Sequence, residues 1–154
     1  MNDGLLIDTS VISLLSPDRK EKLSDAVKAW FHEQGAADAL YLSAMTIAEI
    51  EKGMRSLHCR GGIERAKRLN EWLDLLVDSF ADRILTVDPI VARIAGALED
   101  AATAEGRHPG LGDILIAATA KAYGLTVVTA NLMHFLPLGV DCDLPAVFRR
   151  EGMR

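Results

Sequence analysis

The sequence is poor in cysteine and has no long apolar run. Its two cysteines, Cys59 and Cys142, are too few for a disulfide framework and lack the spacing of a zinc site, so we expect free thiols. Every apolar stretch is far shorter than the roughly 20 residues that span a membrane. The opening MNDGLLIDT carries an acid where a signal peptide has a basic region. These absences predict a cytoplasmic protein without a membrane segment.

An excess of positive charge is also missing. The formal net charge is −5 at pH 7, whereas proteins that hold nucleic acid over their whole surface rely on many Lys and Arg contacts to phosphate. A local exception is residues 52–68, where six basic residues accompany one acid, Glu64. Such a stretch is typical of a solvated helix face. A local patch for a polyanion remains the alternative.

Length and composition indicate one domain. A chain of 154 residues with 49% apolar and 25% charged side chains is close to the globular average. No linker rich in Pro, Gly or Ser divides it. We therefore expect a single domain over residues 1–145, followed by a short basic tail over residues 146–154.

Short apolar, β-branched segments alternate with helical patterns along the chain. The strand candidates follow one another as LLID, LYLS, RILTVD, TVVTA and VDCDL. Segments of helical periodicity separate them, among them residues 19–35 and 63–80. Strands that alternate with helices form βαβ units, which give a parallel sheet covered on both faces. The predicted fold is α/β, a three-layer α/β/α sandwich around a short, mainly parallel sheet.

Polar side chains follow the predicted strands, at the edge where open α/β sheets place their sites. Asp8 comes directly after LLI, and Thr129 and Asn131 follow TVV. Glu49 is one to two turns into its helix, and Asp113 is in the first turn of an apolar helix that offers it no local ion pair. Aspartate also serves well as a helix N-cap. A purely structural role is therefore the alternative for both aspartates.

A cluster of these acids would need a counter-charge. Three carboxylates within a few ångströms repel one another, and without a cation at least one pKa would rise. Carboxylate and amide oxygens, with no His or Cys among them, select Mg²⁺ or Mn²⁺ over zinc. Such ions polarise phosphoryl oxygens and generate a water nucleophile. If Asp8, Glu49, Asp113 and Asn131 converge, the chemistry implied is metal-assisted phosphodiester cleavage.

Four motifs in a fixed order resemble those of a known family. LLIDTSV, TIAEIEKGM, GDILIAATAKAYGLTVVTAN and the later FLPLGV are similar to the successive signatures of PIN-domain nucleases, in particular the VapC-type toxins of bacterial toxin–antitoxin pairs. The similarity runs from Leu5 to about Pro145. It implies a PIN-like nuclease domain and a metal-dependent endoribonuclease toxin. It also implies a dimer, neutralised by a cognate antitoxin that inserts a segment into the active site.

The resemblance assigns roles residue by residue. The catalytic positions that it matches are Asp8, Glu49, Asp113 and Asn131, the first three as ligands of Mg²⁺ or Mn²⁺. Thr9 and Thr129 match hydroxyls that support ligands or water. From the residues alone, Glu49 and Glu51 are equivalent candidates, because both lie near the edge of one apolar helical stripe. The choice of Glu49 therefore depends on the family pattern.

Two departures from the family pattern concern the fourth ligand. His134 stands where many relatives carry an Asp, and GRHPGLGD lacks the β-branched residue usual between its Pro and its Asp. We expect one tightly held ion, with a second recruited only with substrate. Basic side chains near these motifs are the candidates for contacts with RNA, namely Lys52, Arg55, Arg107 and His134.

A second function stays open, namely a catalytically weak or inactive PIN-like binding module that partners a DNA-binding antitoxin protein. The net negative charge and His134 favour it, and the intact set of three acids disfavours it. The helix at residues 63–80 carries enough apolar surface for a homodimer or antitoxin interface. Trp30 and Trp72 lie at helical apolar spacing, which is typical of core or subunit contacts. Base stacking is the alternative for both.

Overall fold

One five-stranded sheet organises the computed structural model, which describes residues 3–19 and 22–149. The strand order is β3-β2-β1-β4-β5, and all four pairings are parallel. The strands are β1 (Leu5–Ile7), β2 (Leu40–Ser43), β3 (Ile84–Leu85), β4 (Thr126–Val128) and β5 (Cys142–Asp143). The first strand therefore lies at the centre, between β2 and β4.

Helices connect the strands and cover the sheet. Within the described ranges they are α1 (Thr9–Ile12), α2 (Asp25–Ala36), α3 (Ala44–Cys59), α4 (Ile63–Phe80), α5 (Pro89–Ala104), α6 (Leu111–Tyr123), α7 (Leu132–Phe135) and α8 (Ala146–Arg149). Short 3₁₀ turns follow α1, α4 and α7 at Ser13–Leu15, Ala81–Arg83 and Leu136–Leu138.

The sheet has an apolar core on each face, because successive side chains of a strand point to opposite sides. Leu6 and Val127 join the core formed with α5 and α6. Their neighbours Ile7 and Val128 join the core formed with α2, α3, α4 and α8. The predicted α/β class and three-layer arrangement are confirmed.

Local capping sets several helix boundaries. Ser43 caps α3 through Met45 N at 3.0 Å, and Asp88 caps α5, whose first residue is proline. The helix predicted from residue 19 instead begins at Asp25, because the Ser24 hydroxyl accepts the N–H of Val27 and caps the helix there. Residues 20 and 21 of that prediction lie outside the described ranges. The strand predicted as RILTVD is shortened to the two residues of β3.

The apolar core extends past residue 145, where the tail was predicted to begin. Phe148 in α8 is fully buried, and its ring lies edge-on to Trp30 and Phe31 at centroid distances of 5.0 and 5.8 Å. A helix of one turn is held by this packing rather than by its own propensity. Residues 150–154 of the predicted tail lie outside the described ranges.

The sequence predicts neither a membrane-spanning helix nor a disulfide, and residues 3–19 and 22–149 bear on both expectations. No helix there combines the length and the apolarity that a membrane span requires. Cys59 is exposed, Cys142 is half-buried, and both are free thiols, as predicted.

Replacing Phe148 with alanine should lower the free energy of unfolding by about 3–5 kcal/mol, because the change removes a fully buried ring from an aromatic cluster. Equilibrium unfolding in urea measures the change. Arg149→Ala, at an exposed neighbour, is the matched control and should stay within about 0.5 kcal/mol. Equal stability of the two variants would contradict the packing of α8 against α2.

Candidate metal centre

Asp8 is a buried carboxylate fixed by three hydrogen bonds. Only 4% of the residue is exposed. Its Oδ1 accepts the backbone N–H of Thr9 at 2.8 Å, and its Oδ2 accepts the hydroxyls of Ser10 at 2.8 Å and Thr129 at 2.7 Å. Asp8 also precedes α1 as its N-cap. The N-cap role, which the sequence left as the alternative for Asp8, is confirmed, and its role at a metal site stays a prediction.

The sheet topology places Asp8 beside Thr129. The backbone N–H of Asp8 donates to Val128 O on the adjacent strand at 2.9 Å, and that of Thr129 donates to Asp143 O at 3.0 Å. Both side chains thus leave the carboxyl ends of neighbouring parallel strands. The Thr129 hydroxyl in turn accepts the backbone N–H of Asn131 at 2.9 Å. A continuous network ties the loop after β4 to the end of β1.

Glu49 is held against the end of β1 by Thr9. The Thr9 hydroxyl donates to Glu49 Oε1 at 2.9 Å and lies 3.2 Å from the Thr46 hydroxyl. Glu51 instead pairs with Arg55 at 3.0 Å, one turn along the exposed side of α3. The structure therefore distinguishes two glutamates that the apolar stripe alone did not separate.

Asp113 enters from the first turn of α6, next to a histidine. His134 Nδ1 lies 3.0 Å from Asp113 Oδ2. Gly112, the residue before Asp113, faces Glu49. A Cβ at position 112 would lie 3.3 Å from Glu49 Oε2. The absence of a side chain at Gly112 lets the start of α6 come close to the Glu49 carboxylate without crowding it.

The electrostatics of the site are unbalanced. The pKa of Glu49 is raised above its ordinary value, chiefly because burial disfavours the charged form and further because the charges of Asp8 and Asp113 repel it. The hydrogen bond from Thr9 and the charge of Lys52 act in the opposite direction without cancelling the rise. The three predicted acids therefore interact through their charges, and a cation would relieve the repulsion.

The other predicted site residues have different surroundings. Arg107 and His134 line a groove of about 350 Å³ that also holds Asp113. Arg55 lines a separate pocket on the α3–α4 hairpin. The Asn131 side chain makes no hydrogen bond with any described residue, so Asn131 joins the network only through its backbone.

Three contributors were not anticipated as site residues, namely Ser10, Thr46 and Gly112. Ser10 lies in the same DTS segment as Asp8, and its hydroxyl also accepts the backbone N–H of Ala130 at 3.2 Å. Its position directly after two predicted site residues is a signal that the sequence contains. The roles of Thr46 and Gly112 depend on how α3 and α6 meet, which the sequence pattern does not give.

The donor set fits a hard divalent cation by its chemistry, since it consists of carboxylate and hydroxyl oxygens. Among residues 3–19 and 22–149, however, no three His, Cys, Asp or Glu side chains are close enough together to hold an ion as they stand. Asp8 is rigidly fixed, whereas Glu49 and Asp113 each make one side-chain contact.

Replacing Glu49 with glutamine should raise the melting temperature by a few degrees at neutral pH in EDTA. A carboxyl whose folded-state pKa is raised stabilises the fold below its unfolded pKa and loses that contribution as pH rises through the folded value. The gain of the variant over the wild type should therefore grow from about pH 4 to pH 7. Thermal melts across this range measure it.

Glu51→Gln is the matched control, since Glu51 lies two residues away and pairs with Arg55. It should not gain stability as the pH rises. A Glu49→Gln variant with no advantage at neutral pH would contradict the electrostatic description of the site.

Comparison with known proteins identifies the family. The family model of the PIN domain matches residues 5–134. The chain is 34% identical over 144 residues to the VapC ribonuclease Y4jK of Sinorhizobium fredii, covering 92% of this chain and 96% of that protein. It is 36% identical over 138 residues to the toxin FitB of Neisseria gonorrhoeae, covering 88% and 94%. The crystal structure of FitAcB from Neisseria gonorrhoeae aligns with a TM-score of 0.74 at 35% identity, over 90% of this chain and 95% of that one. The chain therefore belongs to the PIN-domain family.

Proposed function

We propose that this protein is the ribonuclease toxin of a toxin–antitoxin pair, an Mg²⁺- or Mn²⁺-dependent endoribonuclease that hydrolyses RNA phosphodiester bonds. The observation that carries the proposal is the grouping of three acids: Thr9 hydrogen-bonds to both Asp8 and Glu49, and the charges of Asp8 and Asp113 both act on Glu49. Similarity to a VapC ribonuclease and to the toxin FitB supports the substrate class and the role as a toxin.

The proposed ligands of the ion are Asp8, Glu49 and Asp113. When bound, the ion would polarise the scissile phosphoryl group and lower the pKa of the attacking water. The hydroxyls of Ser10 and Thr129 orient Asp8, and the Thr9 hydroxyl orients Glu49. Hydrogen bonds to the side chains that ligate a metal tune the affinity of the site for the ion. Asn131 supports the site through its backbone bond to Thr129.

Basic side chains near the acids would hold the RNA. Lys52 acts on Glu49 through its charge, and Arg107 and His134 line the groove of Asp113. Arg55 is a weaker candidate, because it pairs with Glu51 and lines a different pocket.

The proposed partners are a cognate antitoxin and a second copy of the chain, in the cytoplasm. An acid-rich cleft with a basic rim accepts an Arg or Lys of an antitoxin in place of the metal. The predicted interface helix, α4, buries Leu73 and Leu76 but exposes Ile63 and Leu75. Exposed apolar side chains of this kind suit a protein interface.

The binding-module alternative keeps one observation in its favour. The acids of the described ranges do not form a ready-made metal cage. Against it stands the intact set of Asp8, Glu49 and Asp113, whose oxygens are the ligands that Mg²⁺ prefers. Cleavage assays separate the two functions.

Asp113→Asn should reduce RNA cleavage by about a hundredfold or more, since even outer partners of metal ligands contribute roughly 10- to 100-fold. The fold should survive, because His134 is the one hydrogen-bond partner of this carboxylate among residues 3–19 and 22–149. Cleavage of transfer RNA and unstructured RNA is measured with Mg²⁺, Mn²⁺ or EDTA, and circular dichroism checks the fold. Asp100→Asn, at an exposed position of α5, is the matched control.

Metal-dependent cutting that Asp113→Asn removes and Asp100→Asn retains supports the nuclease. A folded wild-type chain that cuts no RNA in either metal would favour the binding module.

A further inference from the structure

A second groove leads away from the carboxylates. Its volume is about 410 Å³, and its lining begins with Thr9 and Glu49 at the site and reaches Trp72 in α4. One wall is the segment after α1, residues 13–19, and the other is the α3–α4 hairpin. Asp113 and His134 belong to the other groove. Glu49 therefore lies in one groove and Asp113 in the other.

The charges along this groove favour a polyanion. Arg65 reaches from α4 to Asp18 with two hydrogen bonds, at 2.6 and 2.7 Å. This pair neutralises Asp18 and ties the two walls together. Arg60, at the end of α3, is exposed and forms no ion pair with any acid that the structure describes. Its guanidinium is available for a phosphate.

Trp72 supplies an aromatic surface in the same groove. The residue is half-buried and packs against the apolar core under α4, while part of it lines the groove. Leu69 and Ile50 line the groove near it. Because core packing already holds one side of the Trp72 ring in place, a base that stacks on the other side orders this side chain little further. Trp30, the other tryptophan, instead packs against Phe31 and Phe148.

We propose that this groove binds the nucleotide next to the scissile phosphate of a single-stranded RNA. The base stacks on Trp72, and a backbone phosphate contacts Arg60. The subsite rests on the proposed ribonuclease function. Bases within a duplex are already stacked, so only an unpaired nucleotide reaches the ring. An aromatic surface beside a cation is the usual arrangement for holding single strands.

A neighbouring pocket shows by contrast why this groove suits RNA. That pocket lies elsewhere on the α3–α4 hairpin and is lined by Met54, Cys59 and Ile63 among others. Its lining is largely apolar and includes none of the carboxylates. The groove with Arg60 also contains Glu49 of the proposed metal site, so a nucleotide bound there lies beside the reacting phosphate, whereas the neighbouring pocket offers basic side chains without any of the acids.

The first test measures stacking directly. The full-length Asp113→Asn protein, which should bind without cutting, is titrated with an unstructured oligoribonucleotide while tryptophan fluorescence is followed. We expect quenching in this protein and loss of most of the quenching when Trp72→Phe is added. Trp72→Leu, which keeps apolar packing but lacks a ring, should weaken binding by roughly tenfold. Trp72→Phe should restore most of that affinity.

The second test separates substrate binding from chemistry in the protein with its acids intact. Arg60→Gln and Trp72→Leu should each raise KM by roughly tenfold and change kcat little. Arg68→Gln, at an exposed position of α4 outside the groove, is the matched control and should leave both constants unchanged. A substrate with an abasic residue beside the cleaved bond should reproduce the effect of Trp72→Leu and abolish any further effect of that variant.

The outcomes distinguish the subsite from the function that it rests on. Cleavage by the wild type, with unchanged KM in Arg60→Gln and Trp72→Leu and no quenching, overturns the subsite and leaves the ribonuclease intact. Equal cleavage of intact and abasic substrates also overturns it. A wild-type chain that cuts no RNA overturns the ribonuclease and the subsite together.

Discussion

The structure depends on the burial of one carboxylate. An ionised side chain away from water is costly unless hydrogen bonds replace its hydration, and Asp8 obtains three of them from Thr9, Ser10 and Thr129. Two of these donors belong to the segment that follows β1, and the third belongs to the neighbouring strand end. Satisfying Asp8 therefore fixes the start of α1, the end of β4 and the direction of the carboxylate at the same time.

The acids around Asp8 illustrate a conflict between stability and chemistry. Glu49 is partly removed from water and faces two other negative charges, with one hydroxyl and the charge of Lys52 to offset them. A chain selected for stability alone would replace one of these groups. Functional sites commonly keep such local conflicts, and the rest of the fold compensates for them. Here the two apolar cores supply that compensation.

Periodicity and capping were enough to predict the long elements. The boundaries of α4 match the predicted helix at residues 63–80, because its apolar side chains recur at helical spacing. The predicted start of α2 was wrong. The charged residues before Ser24 also suit a helix, but the Ser24 cap makes the helix begin at Asp25. The role of Phe148 was missed because a helix of one turn has too few residues to show a period.

The candidate site shows the same division. The positions of Asp8 and Thr129 were predictable, because each directly follows a predicted strand and parallel strands end at the same edge of a sheet. The choice of Glu49 over Glu51 came from the family motif. The approach of Gly112 to Glu49 and the contact of His134 with Asp113 depend on how elements distant in sequence pack together. No local pattern contains that information.

The hydrogen bond between Thr129 and Asp8 joins residues 121 positions apart, which has a consequence during synthesis. The ribosome makes Asp8 long before it makes Thr129, whose hydroxyl orients the Asp8 carboxylate. A nascent or prematurely terminated chain therefore lacks the partner that fixes Asp8, and the central strand lacks its neighbour β4. Folding that depends on contacts between residues far apart in sequence is slow. The hydrogen-bonded geometry of Asp8 therefore exists only in a chain that has been synthesised through Thr129.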